Sequence, residues 1–270
     1  MKQDNQLFRE LLSLPPVSVS NSTSVAVVEA PAPEAVTGDN EIDAVLWLHK
    51  VIETGEPTLI DKAMEAAKLI KTPLKDIGMR YSLKVSATHG AFLGAMAGFG
   101  FEDLERKAKR AIEQRAKRHE VASRFGSEKA IFDFIPSEKA CKKALRGVKA
   151  KRREHGFIRY DEAVAVECFD RRPELQPATP DDCLYGLRFW DRLYSLRYAV
   201  DRDGPADFIP PVDAHRDYLF SRLAVLAPRS ADEALSVFRY LIESESMGRE
   251  ESNQIIENLI SSGYDGSLTH

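Results

Sequence analysis

Apolar residues recur along most of this chain at intervals of three and four, and that period is what most limits its fold. Ile42, Val45, Leu46, His49 and Ile52 follow it, and Gly55-Glu56-Pro57 closes the run. Leu59, Ala63, Ala66, Ala67 and Ile70 repeat the pattern over Thr58–Lys71. This spacing lines one side of an α-helix, whereas a half-buried strand needs strict alternation. Further helices are expected over Phe101–Arg124, stopping at Gly126, and over Pro136–Arg153, Asp161–Phe169 and Leu184–Val200. Three more are expected at Val212–Ala227, Ser230–Ser246 and Arg249–Ser262, with Ser230 and Glu233 at capping-box spacing. Alternation survives only at Phe157–Tyr160. The expected class is therefore all-α, an orthogonal array of many helices.

Composition divides the chain. Val17–Asn40 is Ser, Val, Ala, Pro and Glu without period, the composition of a linker. Ahead of it Leu7, Phe8, Leu11, Leu12 and Leu14 make a short amphipathic segment ended by Pro15-Pro16. Such a segment docks on a protein partner or on its own core. With Leu7, Phe8 and Leu11 assigned to partner binding, residues 1–40 read as a disordered tail. A helical domain is expected at 41–155, and an acidic, aromatic-rich helical domain at 156–270 after the change of character at His155-Gly156.

Thr72–Met96 reads as helix, turn, helix. Leu74 and Ile77 supply apolar contacts, Gly78 a small residue, Tyr81 the end of a first helix, Ser82 the turn and Leu83 the apolar residue after it. Ser86 stands as N-cap of a second helix. To that point the segment resembles the "LxxIAxxYGL" half of bacterial helix-turn-helix regulators. Beyond it the chain departs from that pattern, offering Ala87, Thr88, His89 and Gly90 where a branched apolar residue belongs. The resemblance implies a DNA-reading helix with Lys84, Ser86, Thr88 and His89 at its start. A competing reading rests on Ser86, Gly90, Gly94 and Gly98, whose four-residue spacing makes a ridge where another backbone can approach closely.

The net charge of −4 hides an asymmetry: Glu102–Glu154 carries 17 Lys and Arg against 9 Asp and Glu. A basic middle in an acidic protein points to a polyanionic partner. Within it Lys139, Lys142, Lys143, Arg146, Lys149 and Arg153 share a helical face, so Lys142, Lys143, Arg146, Lys149, Arg152 and Arg153 are the expected phosphate contacts.

Catalytic signatures are sparse. Cys141, Cys168 and Cys183 form no CxxC, and no histidine stands at ligand spacing from them. Gly98–Asp103 lacks the remainder of a phosphate-binding loop. Cys183 and His215 have no spacing that supports a nucleophile–base pair. No cofactor, metal or catalytic residue is expected. No apolar run approaches the ~20 residues that span a bilayer, and the N-terminus has no signal-peptide layout, so a cytoplasmic protein without a membrane partner is expected. The leading expectation is a DNA-binding regulatory or accessory protein without catalysis. The alternative is a helical scaffold or adaptor that contacts proteins through its N-terminal segment or C-terminal domain, and a homodimer is compatible with either.

Overall fold

A computed structural model of the chain describes residues 3–18, 28–152, 158–201 and 207–262. Among these residues are twelve α-helices and a single two-stranded ribbon, so the class is all-α. The chain forms two compact bodies: Val17–Ser123, and Met1–Pro16 together with Arg124–His270.

The smaller body contains α2 (Asn40–Glu53), α3 (Pro57–Ala67), α4 (Leu74–His89), α5 (Ala91–Gly98) and most of α6 (Leu104–Phe125). Asp39 caps α2 by accepting from the Glu41 and Ile42 amides, and Pro57 opens α3 where no N–H is needed. The apolar stripes of α2, α3 and α6 meet in one core of Leu48, Val51, Ile52, Ile60, Ala63, Leu104, Ala108 and Ala111. A second core joins Ile42, Val45, Ile77 and Phe101. Gly55, at φ +67°, turns the chain where α2 comes down on α6: a Cβ there would stand 2.7 Å from the Ala111 carbonyl oxygen. Part of the expected linker lies on α2, because Trp47 Nε1 donates to the Pro31 carbonyl at 2.8 Å and the Thr37 amide donates to Asp43 at 2.8 Å. Residues 19–27 of that linker lie outside the described residues.

The larger body is organised by α9 (Pro180–Val200), whose Leu184, Leu187, Trp190, Leu193 and Leu196 are buried. Around it stand α1 (Gln6–Leu11), α7 (Pro136–Ala144), α8 (Glu162–Asp170), α10 (Pro210–Arg222), α11 (Ala231–Glu243) and α12 (Glu251–Ser261). Strands β1 (Lys151–Arg152) and β2 (Ile158–Arg159) pair antiparallel, Lys151 opposite Arg159.

Two expectations are corrected here. The N-terminal segment packs on its own chain through Phe8 and Leu12, which are fully buried, while Leu7 is 58% exposed and Leu11 partly so. The buried pair sits over Gly186, where a Cβ would come within 2.8 Å of the Phe8 ring and 2.6 Å of Leu219. Asn5 fixes the approach by donating from its side chain to the Pro173 and Gln176 carbonyls, and Arg9 pairs with the buried Asp182 at 2.7 Å. The division between bodies also falls after Ser123, not near 155. The reason is a buried clamp: Arg197 of α9 grips Glu138 of α7 at 2.8 and 3.0 Å and donates from Nε to the Ile131 carbonyl, which ties 131–144 to the C-terminal helices.

Candidate functional site

In the smaller body α4 and α5 fold back on each other as a hairpin. Helix α4 runs from Leu74 to His89 without interruption, so the turn expected at Ser82 is absent and falls instead at Gly90, whose φ is +93°. No L-residue occupies that conformation without strain, whereas Ser82 has no such demand on it. The glycine ridge accounts for the close return of α5 along α4. A Cβ on Gly94 would overlap Ser86 Oγ and stand 2.5 Å from the Ser82 carbonyl, and one on Gly98 would meet Ser82 Cβ at 3.0 Å. Backbone thus lies on backbone along a seam of serine and glycine. Gly78, one turn before Ser82 on the same row of α4, leaves room for the Phe101 ring at 3.2 Å.

That seam uses up the small residues and leaves the large ones outside. Leu83 is 65% exposed, Phe92 76% and Phe99 80%, with Met79, Leu93 and Met96 also more than half exposed. On α4 the exposed pair Met79 and Leu83 is four residues apart; on α5 Phe92 and Met96 repeat the interval. Charge on this element is one-sided. Arg80 and Lys84 are its only Arg or Lys from 77 to 101, and no Asp or Glu occurs in that interval. Arg80 is held by Asp39 at 3.2 Å and by Glu41, while Lys84 donates to the Thr37 carbonyl at 2.6 Å and remains exposed.

The residues expected to begin a recognition helix therefore sit at the C-terminal end of α4. Ser86 faces Gly94 inside the seam. Thr88 donates back to the Lys84 carbonyl at 3.2 Å, and His89 is the last helical residue, exposed. Lys84 belongs to the exposed side of the hairpin.

No known protein family, no curated protein and no solved structure matches this chain.

The basic segment of the larger body keeps its charge outside but loses its continuity. Helix α7 buries Ser137, Glu138 and Cys141 and exposes Lys139, Lys142 and Lys143. It stops at Ala144, and Gly147, at φ +86°, bends the chain, so Arg146 and Lys149 are exposed but do not continue the helical face. Arg152 lies in β1, and Arg153 lies outside the described residues. The one carboxylate on α7, Glu138, points inward to Arg197, leaving the outer face uniformly cationic. Lys142 sets its ammonium 4.1 Å above the Phe134 ring. Behind that face burial pushes the Cys141 thiol up, away from reactivity.

Two histidines, the buried His215 and the half-buried His49, are held neutral. His215 accepts from Trp190 Nε1 at 3.2 Å through Nδ1 and donates from Nε2 to the Leu175 carbonyl at 3.0 Å, which fixes its tautomer. Burial lowers it to about 4, and Phe8, Phe169, Trp190 and Tyr218 surround the ring. His49 donates to the Phe101 carbonyl at 2.9 Å and is lowered to about 4, first by burial and then by the Lys107 ammonium. Burial raises the Cys183 thiol well above its ordinary range. Both histidines act as core supports, with His49 holding the loop that ends the α4–α5 hairpin. No group of three or more His, Cys, Asp or Glu placed to hold a metal occurs among the described residues, and no described helix is long and apolar enough to cross a membrane.

The exposed residues of α5 were missed as surface by the sequence pattern, although a signal was present. Ala91–Phe99 contains no charged or hydrogen-bonding side chain. Once glycine takes the covered side of so short a helix, every large side chain left over must face outward.

Proposed function

We propose that this protein is a helical adaptor that captures a protein partner on the α4–α5 hairpin. One observation carries this reading: Met79, Leu83, Phe92, Leu93, Met96 and Phe99 are each more than half exposed on one short element. Scattered single apolar residues on a surface need no explanation, but a concentration on one element marks a contact site. The hairpin is suited to that use because its serine–glycine seam is closely packed, so the apolar side chains are already held outward before a partner arrives. The test is site-specific photo-crosslinking in cells, with the photoreactive residue at Phe92 or Leu83 and, as control, at the exposed polar Lys62 on α3. A discrete adduct from the hairpin positions and none from the control is expected. Equal behaviour at both kinds of position removes the reading.

A second reading, DNA contact, is favoured by the outer face of α7. Lys139, Lys142 and Lys143 with Arg146 and Lys149 present cations without an intervening carboxylate. Such a face suits phosphates and carries no means of telling bases apart. Changing Lys142, Lys143, Arg146 and Lys149 together to alanine is expected to weaken duplex binding alike for every sequence. The slope of log affinity against log salt should flatten by about 0.9 for each phosphate no longer neutralised. Absence of binding at low salt excludes it.

A further inference from the structure

The hairpin is apolar and basic, and the same chain carries an apolar and acidic helix that matches it. Helix α11 buries Ala234, Val237 and Leu241 and exposes Leu235, Phe238 and Ile242, with Met247 just beyond its end. Spacings of three and four put Leu235, Phe238 and Ile242 on one outward stripe. Asp232, Glu243, Glu245 and Glu250 are exposed around it against a single cation, Arg239. On the hairpin, Lys75, Lys84 and His89 are exposed, against Asp76.

We propose that the partner of the α4–α5 hairpin is a second copy of this chain, which receives it on the outer stripe of α11. The inference rests on the reading of the hairpin as a docking surface and names its occupant. Charge decides between a hairpin–hairpin contact and a hairpin–α11 contact. Hairpin against hairpin sets Lys84 of one copy near Lys84 of the other with no carboxylate from 77 to 101 to offset them. Hairpin against α11 sets Lys84 among Asp232, Glu243 and Glu245, and covers apolar surface on both sides. Such a contact joins two different surfaces. It leaves an unused hairpin on one copy and an unused α11 on the other, so association continues head to tail unless it closes into a ring.

The experiment is sedimentation velocity on the full chain over a range of concentrations, at low and moderate salt. The wild type is expected to gain mass with concentration beyond a dimer, and less so at higher salt. Phe92→Glu with Phe99→Glu disables the hairpin, and Phe238→Glu with Ile242→Glu disables α11. Each variant alone is expected to remain at monomer mass. An equimolar mixture should reach twofold that mass and stop, because each variant supplies the half the other lacks. All four side chains are exposed, and far-UV circular dichroism checks the fold; Phe92→Ser and Phe238→Ser repeat the test without added charge. A mixture that stays monomeric overturns the proposal. So does an α11 variant that still dimerises alone, which assigns the contact to two hairpins. A wild type that is monomeric throughout also overturns it. If Phe92 then still crosslinks to another protein, the docking reading survives with a different occupant; if it crosslinks to nothing, both fail.

Discussion

Replacing Gly94 by alanine adds one methyl group where two helices touch through their backbones. In isolation the change favours the helix by about 1 kcal/mol, since glycine is the poorer helix former. In place it cannot. The added carbon would overlap Ser86 Oγ, stand 2.8 Å from Ser86 Cβ and reach within 2.5 Å of the Ser82 carbonyl oxygen. A rotation of Ser86 relieves the first contact, but the carbonyl is backbone and moves only if α4 and α5 part. Overpacking of this kind costs roughly 1–3 kcal/mol, and backbone as the obstacle puts it at the upper end. The net loss is then about 2 kcal/mol, or a hairpin that opens roughly 30-fold more often. Gly98→Ala is the internal comparison: its nearest neighbour is Ser82 Cβ at 3.0 Å, which moves only with the α4 backbone but has to give by only a few tenths of an ångström. Gain and cost should nearly cancel there. Because the chain has two bodies, a global melt mixes their transitions, so the assay is amide hydrogen exchange read on peptides covering 79–99. Gly94→Ala should lose protection in that segment, with Ser86→Gly restoring part of it, while Gly98→Ala stays close to the wild type. Equal effects of the two substitutions, or added protection in Gly94→Ala, would refute the account of the seam.

The larger body and the two neutral histidines give three further expected outcomes. Phe8→Ala empties a fully buried site over Gly186 and should cost about 3–5 kcal/mol in urea unfolding; a loss under about 1 kcal/mol would return the segment to a surface role. Arg197→Ala leaves Glu138 buried without its partner and should cost about 3–5 kcal/mol, whereas Arg197→Met with Glu138→Leu recovers much of that; no recovery in the pair would point to packing and not charge. His49 and His215 are depressed from 6.5 to about 4 in the folded chain, so the unfolded chain takes up protons first as pH falls. The histidine contribution to stability should therefore decline from about pH 6.5 to about pH 4 and level off below. For the fully buried His215 that shift corresponds to about 3 kcal/mol, and for the half-buried, partly screened His49 to less. His215→Phe should remove part of the slope, measured as the midpoint of urea unfolding against pH.

Fold class and most of the helices are legible along the chain. Apolar spacing places a buried face on a helix wherever the helix finally packs. Stops such as Gly126, at φ +79°, and caps such as Ser230, accepting from the Glu233 amide, act on their nearest neighbours alone. These effects are local, so a linear pattern records them. The glycine ridge is legible in the same way, as spacing that predicts close approach. Which surface each face meets is a tertiary matter. Ser82 and Gly90 are both plausible turns until the serines are seen to be needed as the floor under Gly94 and Gly98. Phe8 and Leu12 make an amphipathic turn with no mark to say that their groove lies over Gly186, far along the chain, and is built from α9 and α10. The basic run from Lys139 reads as one helical face until Gly147 bends it and Arg197 draws Glu138 inward. Leaving aside the hairpin turn, the deciding partners are residues far apart in sequence. The energy of those contacts comes from shape and from removing charge and apolar surface from water, which no local pattern records.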